Sequence, residues 1–300
     1  MTRVGPASGG KGMAFATLKY ELTDGIAVVT INRPEKNNAI SMEMRADFRA
    51  LADELYANEA VRVVVFTGTG KTFCVGADVS TFETDWNTPV FRANTRLLTS
   101  FFNDLEALEK PLIAAINGTC VGGGLELALA CDLRIAARSA RFGLPENNLG
   151  LIPGIGGCSR LVKLVGFGHA KELVLTGEIV SADEALRCGL VNRVVEDAEL
   201  ESEASALAAR LAAKAPQALG LAKRVIQSCV SADLHTARTL ESFGQSILIK
   251  TADHREGVKA FREKRRPRAL SRAAPRGSDT LCRWEPGRRR CAAAPKNPPG

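Results

Sequence analysis

The chain has 300 residues, 45% of them hydrophobic, 24% charged and 5% aromatic, a globular composition that excludes a mostly disordered, collagen-like or disulfide-scaffold protein. The formal charge of +7 suggests nucleic acid until it is divided along the chain. Residues 1–261 hold 28 Lys and Arg against 30 Asp and Glu, a net of −2, whereas residues 262–300 hold 12 against 3, a net of +9. The basic character therefore belongs to a short tail.

In chain order, residues 1–14, rich in Gly, Ser and Pro, read as a flexible leader. The apolar, β-branched runs at 26–31 and 61–67 predict strands. Between them, residues 41–58 place Met44, Phe48, Leu51 and Leu55 at helical spacing, with Ser41 able to cap the first turn. Residues 112–116 and 133–137 predict two more strands, with a short apolar helix over 125–131 between them. Strands alternating with helices indicate an α/β core, placed at 15–198. Ala and Leu at helical spacing then predict helices over 199–213, 217–230 and 234–251, a helical C-terminal region ending near 266. Residues 267–300, dense in Arg, Pro and Gly without apolar periodicity, read as a disordered basic tail.

No window approaches the roughly 18 consecutive apolar residues of a membrane span, and the start lacks a signal-peptide core, so a soluble cytoplasmic protein without a membrane partner is expected. The eight cysteines are scattered without a CxxC pair and the three histidines lie far apart. Neither pattern suggests a metal site, and most of the cysteines are expected to be small buried hydrophobes. The stretch Gly68-Thr69-Gly70-Lys71-Thr72 resembles the end of a phosphate-binding loop, but the required earlier glycine is Val65 and no helix comes directly after it.

Four segments concentrate the chemistry: residues 32–41, 73–79, 117–132 and 142–157. Gly122, Gly123 and Gly124 follow a strand and open an apolar helix. Glycine there permits a ligand to approach unpaired amides, which suits developing negative charge, although the triplet is also compatible with a plain tight turn. Glu126, in the first turn, is flanked by Leu125, Leu127, Ala128, Leu129 and Ala130. Such a carboxylate is either a capping residue or a working base. Glu146, in a Gly- and Asn-rich loop, is either a solvated acid or its partner. Two carboxylates in one dry pocket can divide acid and base roles. The bend at Gly76, Ala77 and Asp78 can aim the Ala77 amide at the same place as that of Gly123, forming an oxyanion hole, while Asp78 caps the next segment.

These four segments, in this order, resemble the crotonase superfamily, specifically its enoyl-CoA hydratases, over roughly residues 15–266. The stretch 176–195 resembles the family's link to its C-terminal helices. The resemblance implies an α/β spiral of β-β-α repeats with a C-terminal helical trimerisation region, assembled as a homotrimer or a dimer of trimers. It puts the two catalytic glutamates at Glu126 and Glu146 and the oxyanion amides at Ala77 and Gly123. Coenzyme A would be part of the acyl-CoA substrate rather than a bound cofactor, with Ala77, Asp78, Val79 and Ser80 along the pantetheine and the Lys36 to Ala39 loop near the nucleotide. The aromatic residues Trp86, Phe91, Phe101 and Phe102 fall where the family has its acyl pocket, though aromatic residues at helical spacing also suit a core. Both acids are present, which suits hydration of a 2-enoyl-CoA in fatty-acid or related acyl-CoA degradation; related isomerases often keep only one. An isomerase or another acyl-CoA enzyme of the superfamily is the alternative. The superfamily's RNA-binding branch uses a lysine comb, whereas the helix over 41–58 offers Arg45 and Arg49 against Glu43, Asp47, Asp53 and Glu54. No specific nucleic-acid partner is expected.

Overall fold

A computed structural model describes residues 15–82 and 86–268; the expected leader and all but the first two residues of the expected tail lie outside them, as do Cys282 and Cys291. The chain starts with a hairpin of β1 (Leu18–Thr23) and β2 (Ile26–Ile31). Its two-residue turn, Asp24 and Gly25, has both φ angles positive (51° and 80°), the geometry that matches the twist of paired strands. Helix α1 (Met42–Ala57) comes next, capped by the Ser41 hydroxyl accepting from the Met44 amide at 3.1 Å.

Three repeats of one pattern continue the chain. Strand β3 (Val63–Gly68), short strand β4 (Thr72–Cys74) and helix α2 (Thr88–Ala107) form the first. The second is β5 (Leu112–Ile116), β6 (Thr119–Val121) and α3 (Gly123–Ala130). The third is β7 (Leu133–Ala137), β8 (Arg141–Gly143) and α4 (Gly157–Thr176). Strand β9 (Val180–Ser181), helix α5 (Ala182–Arg187) and strand β10 (Arg193–Val195) close the core. Helices α6 (Leu200–Ala212), α7 (Pro216–Cys229), α8 (Leu234–Leu248) and α9 (Ala252–Arg262) complete the described chain.

The long strands line up as β1-β2-β3-β5-β7-β10 and the short ones as β4-β6-β8-β9, so each repeat advances one position in both sheets. Successive repeats pair in parallel in each sheet. This is the spiral of β-β-α repeats that the resemblance implies. The central strands β3, β5 and β7 are buried on both faces, which is why they read as nearly unbroken apolar runs, whereas the edge strand β1 alternates exposed positions with buried or half-buried ones. Val64 and Phe66 face the main core of α1 to α4, while Val63 and Val65 face α6 through Leu200, Ala204 and Ala208. Phe48 of α1 stacks on Phe101 of α2 with ring centroids 4.5 Å apart.

Several boundaries shift from expectation. The strand expected at 61–67 runs from Val63 to Gly68. The helix expected at 125–131 starts at Gly123, because Gly122 with φ 54° makes the turn and the next glycines already belong to the helix. The helix expected at 234–251 stops at Leu248, since Thr251 caps α9 by accepting from the His254 amide. Cys74, Cys120 and Cys131 are buried as expected, and burial pushes the Cys74 and Cys131 thiols up to about 12. Cys158 is exposed instead, in the first turn of α4.

Interlocking of the repeats depends on backbone contact. A Cβ at Gly124 would sit 2.1 Å from the Cys74 carbonyl oxygen, so α3 can lie against β4 only with glycine there. Gly124→Ala should cost about 1–3 kcal/mol or more of stability through overpacking. Urea unfolding would check it; a midpoint unchanged from wild type would show that the contact is slack.

Candidate active site

The site begins at the bend after β4. Ile40 pairs with Ala77 in parallel, its amide donating to the Gly76 carbonyl (2.8 Å) and its carbonyl accepting from the Asp78 amide (3.1 Å). Backbone groups alternate along an extended segment, so the Ala77 N–H is turned away from Ile40. The Ala77 nitrogen lies beside the start of α3: a Cβ at Gly123 would lie 3.7 Å from it, and one at Gly76 would lie 2.7 Å from the Gly123 nitrogen. Gly123 is the first residue of α3, where amides have no partner within the helix. Gly76 (φ 87°) and Gly122 (φ 54°) hold the left-handed geometry that this approach requires. The structure thus brings the amides of Ala77 and Gly123 together.

Asp78 fastens the bend. Its carboxylate accepts from the Ser80 hydroxyl (2.8 Å) and amide (3.3 Å) and pairs with Arg33 at 3.2 Å. Hydrogen bonds from Ser80, and then the Arg33 guanidinium, hold its pKa below the usual carboxylate value. The same guanidinium donates to the Ala39 carbonyl at 2.6 Å, tying the 32–41 loop to the bend. Ala39 is buried, while Lys36 stands exposed at the end of the turn Pro34–Lys36.

Glu126 lies on α3 with only 1% of its surface exposed. It caps no amide of its own helix. Its Oε1 accepts from the amides of Ile155 (2.7 Å) and Gly157 (2.8 Å), at the start of α4. Desolvation nevertheless dominates and, with the nearby Glu146 charge, lifts its pKa to about 7 against the lowering effect of both amides. Glu146 sits in the helical turn Pro145–Leu149. Its Oε1 is 3.3 Å from where a Cβ at Gly122 would be, and its buried Oε2 has no hydrogen-bond partner among the described residues. Burial raises its pKa too.

One cavity of about 350 Å³ is lined by Ala77, Val79, Gly123, Glu126 and Glu146 together. Lys36, Ala39, Asp78 and Ser80 do not line it; the last two turn their side chains on each other. The aromatic residues divide: Trp86 and Phe91 line the cavity, while Phe101 and Phe102 are buried in the core. The residues that hold Glu126 were not singled out from the sequence. The signal available was the Ile-Gly-Gly stretch 155–157, since a Cβ at Gly157 would stand 2.9 Å from Glu126 Oε1. Arg160 steadies this stretch by donating to the Ile155 carbonyl (3.0 Å) while paired with Glu106 at 2.9 Å. Among the described residues, no group of three or more His, Cys, Asp or Glu side chains is placed to hold a metal ion.

The enoyl-CoA hydratase/isomerase family pattern matches residues 21–270. The chain belongs to that family. It is 43% identical over 242 residues to a short-chain-enoyl-CoA hydratase of Clostridium acetobutylicum, covering 80% of this chain and 92% of the relative. It is 39% identical over 261 residues to a crotonyl-CoA hydratase of Syntrophomonas wolfei, covering 87% of this chain and all of the relative. The crystal structure of an enoyl-CoA hydratase from Bacillus anthracis superposes with a TM-score of 0.81 at 38% identity, covering 84% of this chain and 98% of that one. The family members compared are thus matched along nearly their whole length, and the spiral with its four site segments lies inside the matched region.

The raised pKa of Glu126 links stability to pH. Because its folded-state value is about 7 rather than the ordinary 4.5, the folded form holds a proton that the unfolded form releases. Stability is therefore lost as pH rises from 4.5 through 7, by an amount on the order of 3 kcal/mol. Glu126→Gln keeps an acceptor for both amides but carries no charge. It should unfold at higher denaturant than wild type at pH about 8, with the gap closing toward pH about 4.5. A gap of constant size across that range would contradict the assignment.

Proposed function

We infer that this chain adds water across the double bond of 2-enoyl-CoA thioesters, giving 3-hydroxyacyl-CoA. The observation carrying this reading is the convergence of a buried carboxylate, a half-buried one and the backbone of Ala77 and Gly123 on one cavity, in a chain whose family relatives include a short-chain-enoyl-CoA hydratase and a crotonyl-CoA hydratase. The thioester oxygen accepts from the Ala77 and Gly123 N–H groups, which stabilise the enolate as its charge develops. Glu126 orients a water and takes its proton while the hydroxyl adds at the β carbon. Glu146 delivers a proton to the α carbon. Glu126 then holds the proton that Glu146 has lost, and exchange with solvent resets the pair. A carboxyl with a pKa of about 7 is poised to change protonation near neutrality, which suits this proton traffic.

Coenzyme A is the substrate's carrier, its pantetheine running past residues 77–80 and its nucleotide near Lys36 and Ala39. Arg33 supports this reading by joining the two segments. The assembly proposed is a homotrimer or a dimer of trimers, and the exposed apolar side chains of the last helices, such as Ile226, Phe243, Ile247 and Phe261, supply surface for it. No described helix is long and apolar enough to cross a membrane, and the cytoplasm is the proposed place of action.

Light scattering of the purified chain should give a mass of three or six protomers; a monomer would remove the assembly proposal. Glu126→Gln and Glu146→Gln should each slow hydration of crotonyl-CoA by about 10²- to 10⁴-fold, the usual weight of a general acid or base. Loss of the conjugated thioester absorbance measures the rate. Rates near wild type in both variants would refute the roles, and migration of a 3-enoyl double bond without hydration would favour the isomerase.

A further inference from the structure

The cavity wall is apolar along Val79, Phe82, Phe91 and Leu98, yet it also includes the cation Arg45. Arg45 projects from α1, and its Nε is fully buried without a hydrogen-bond partner. No carboxylate among the described residues pairs with it. Burial alone lowers its pKa, with no anion acting to raise it, whereas Arg33 and Arg160, also half-buried but outside this cavity, are both ion-paired. A buried N–H donor without an acceptor is costly, and a protein that keeps one at the wall of a cavity recovers that cost when an acceptor arrives.

The position of Arg45 indicates which part of a ligand it meets. Helices α1 and α2 run in the same sense, with Phe48 on Phe101 and the Tyr56 hydroxyl donating to the Asp104 carbonyl. One turn back along α1, from Phe48 to Arg45, therefore corresponds to one turn back along α2, from Phe101 to Leu98, with Asn94 a further turn back, and both of these line the cavity with Arg45. Glu126 and Glu146 belong to α3 and to the turn Pro145–Leu149, and neither bonds to Arg45. The guanidinium thus stands on the α1–α2 side of the cavity, apart from the acids and among the aromatic and aliphatic side chains suited to an acyl chain.

We propose that Arg45 receives a carboxylate at the far end of the acyl chain, so that the preferred substrates are enoyl-CoA thioesters of dicarboxylic acids. This rests on the enoyl-CoA reading of the site. A guanidinium forms charge-assisted hydrogen bonds to a carboxylate in a planar fork that a terminal methyl cannot replace. A neutral chain leaves the buried Nε of Arg45 without an acceptor, so discrimination arises from the cost of the wrong ligand as well as from attraction to the right one.

The test compares kcat/KM for glutaconyl-CoA and for pentenoyl-CoA, its neutral counterpart of equal chain length, in wild type, Arg45→Met and Arg45→Lys; the hexenedioyl and hexenoyl pair repeats it one carbon longer. Wild type should favour the carboxylated member of at least one pair. Arg45→Met should reduce that preference by about 10- to 100-fold, the weight of a charge-assisted hydrogen bond, and Arg45→Lys should restore part of it. Calorimetry with glutaryl-CoA, pentanoyl-CoA and free CoA reads the same preference without turnover. A wild type that favours the neutral member of both pairs overturns the proposal, even if the variants fail to fold. So does an Arg45→Met variant that keeps the preference, or one that weakens all three calorimetric ligands equally, which would assign the guanidinium to the carrier. If wild type hydrates nothing but binds glutaryl-CoA more tightly than pentanoyl-CoA through Arg45, hydration fails and the carboxylate site stands.

Discussion

The carboxylate of Glu126, 1% exposed at the start of α3, is the constraint around which the site is built. An isolated buried carboxylate is too costly to keep charged, so it must find donors or hold a proton. Here the Ile155 and Gly157 amides supply two hydrogen bonds from the next repeat, and desolvation still raises the group to about 7. The balance leaves a group that can exist in either form near neutrality. Placing donors for all its lone pairs would have produced an inert structural anion, while omitting the two amides would have produced a permanently neutral acid.

That balance requires the third repeat to be seated correctly against the second, and the spiral accomplishes this with close approaches at glycine as well as with side-chain packing. Gly124 against Cys74, Gly76 against Gly123 and Gly157 against Glu126 all leave no room for a Cβ. Each contact joins an element of one repeat to an element of another. The glycines therefore do two things together: they let the sheets and helices close up, and they bring the amides of Ala77 and Gly123 close to one another. Arg33 and Arg160 then fix the two loops from outside, each by one ion pair and one backbone carbonyl.

The long strands and α1 were legible in the sequence because local pattern determines them: β-branched runs for the sheet, and Met44, Phe48, Leu51 and Leu55 with the Ser41 cap for the helix. The second sheet was not legible. Strands β4, β6 and β8 have three residues each, too few for an alternation to register, and their existence depends on parallel pairing between repeats. The boundary at Gly123 was missed because glycine reads as a breaker, whereas here the glycines are what allow α3 to start close to β4. The candidate acids could be singled out, but each kept a bland alternative, since exposure is decided by the fold: Glu146 reads as a loop acid until the turn Pro145–Leu149 buries one of its oxygens. The aromatic residues divided for the same reason. Phe101 and Trp86 look alike in a pattern of apolar residues, and only the packing of α2 against α1 sends the first to the core.

Arg45 extends the logic of Glu126 to the opposite charge. On α1 it occupies the position after Met44, where the apolar face of the helix turns toward its polar face, so the sequence suggests an ordinary surface cation and its charge was counted only against a lysine comb. The fold changes its meaning by placing α2 beside it. Glu126 is compensated by fixed amides within the chain, and in the proposed reaction it serves the reacting atoms. Arg45 has no such compensation in the described structure. A protein tolerates an unsatisfied buried group where strain or a ligand accounts for it, and the two groups that meet this description in the cavity wall are the Nε of Arg45 and the Oε2 of Glu146. For Glu146 the proposed chemistry names the partner, the proton carried to the α carbon. By the same physical reasoning Arg45 calls for an acceptor, and on the acyl side of the cavity that acceptor has to come with the substrate.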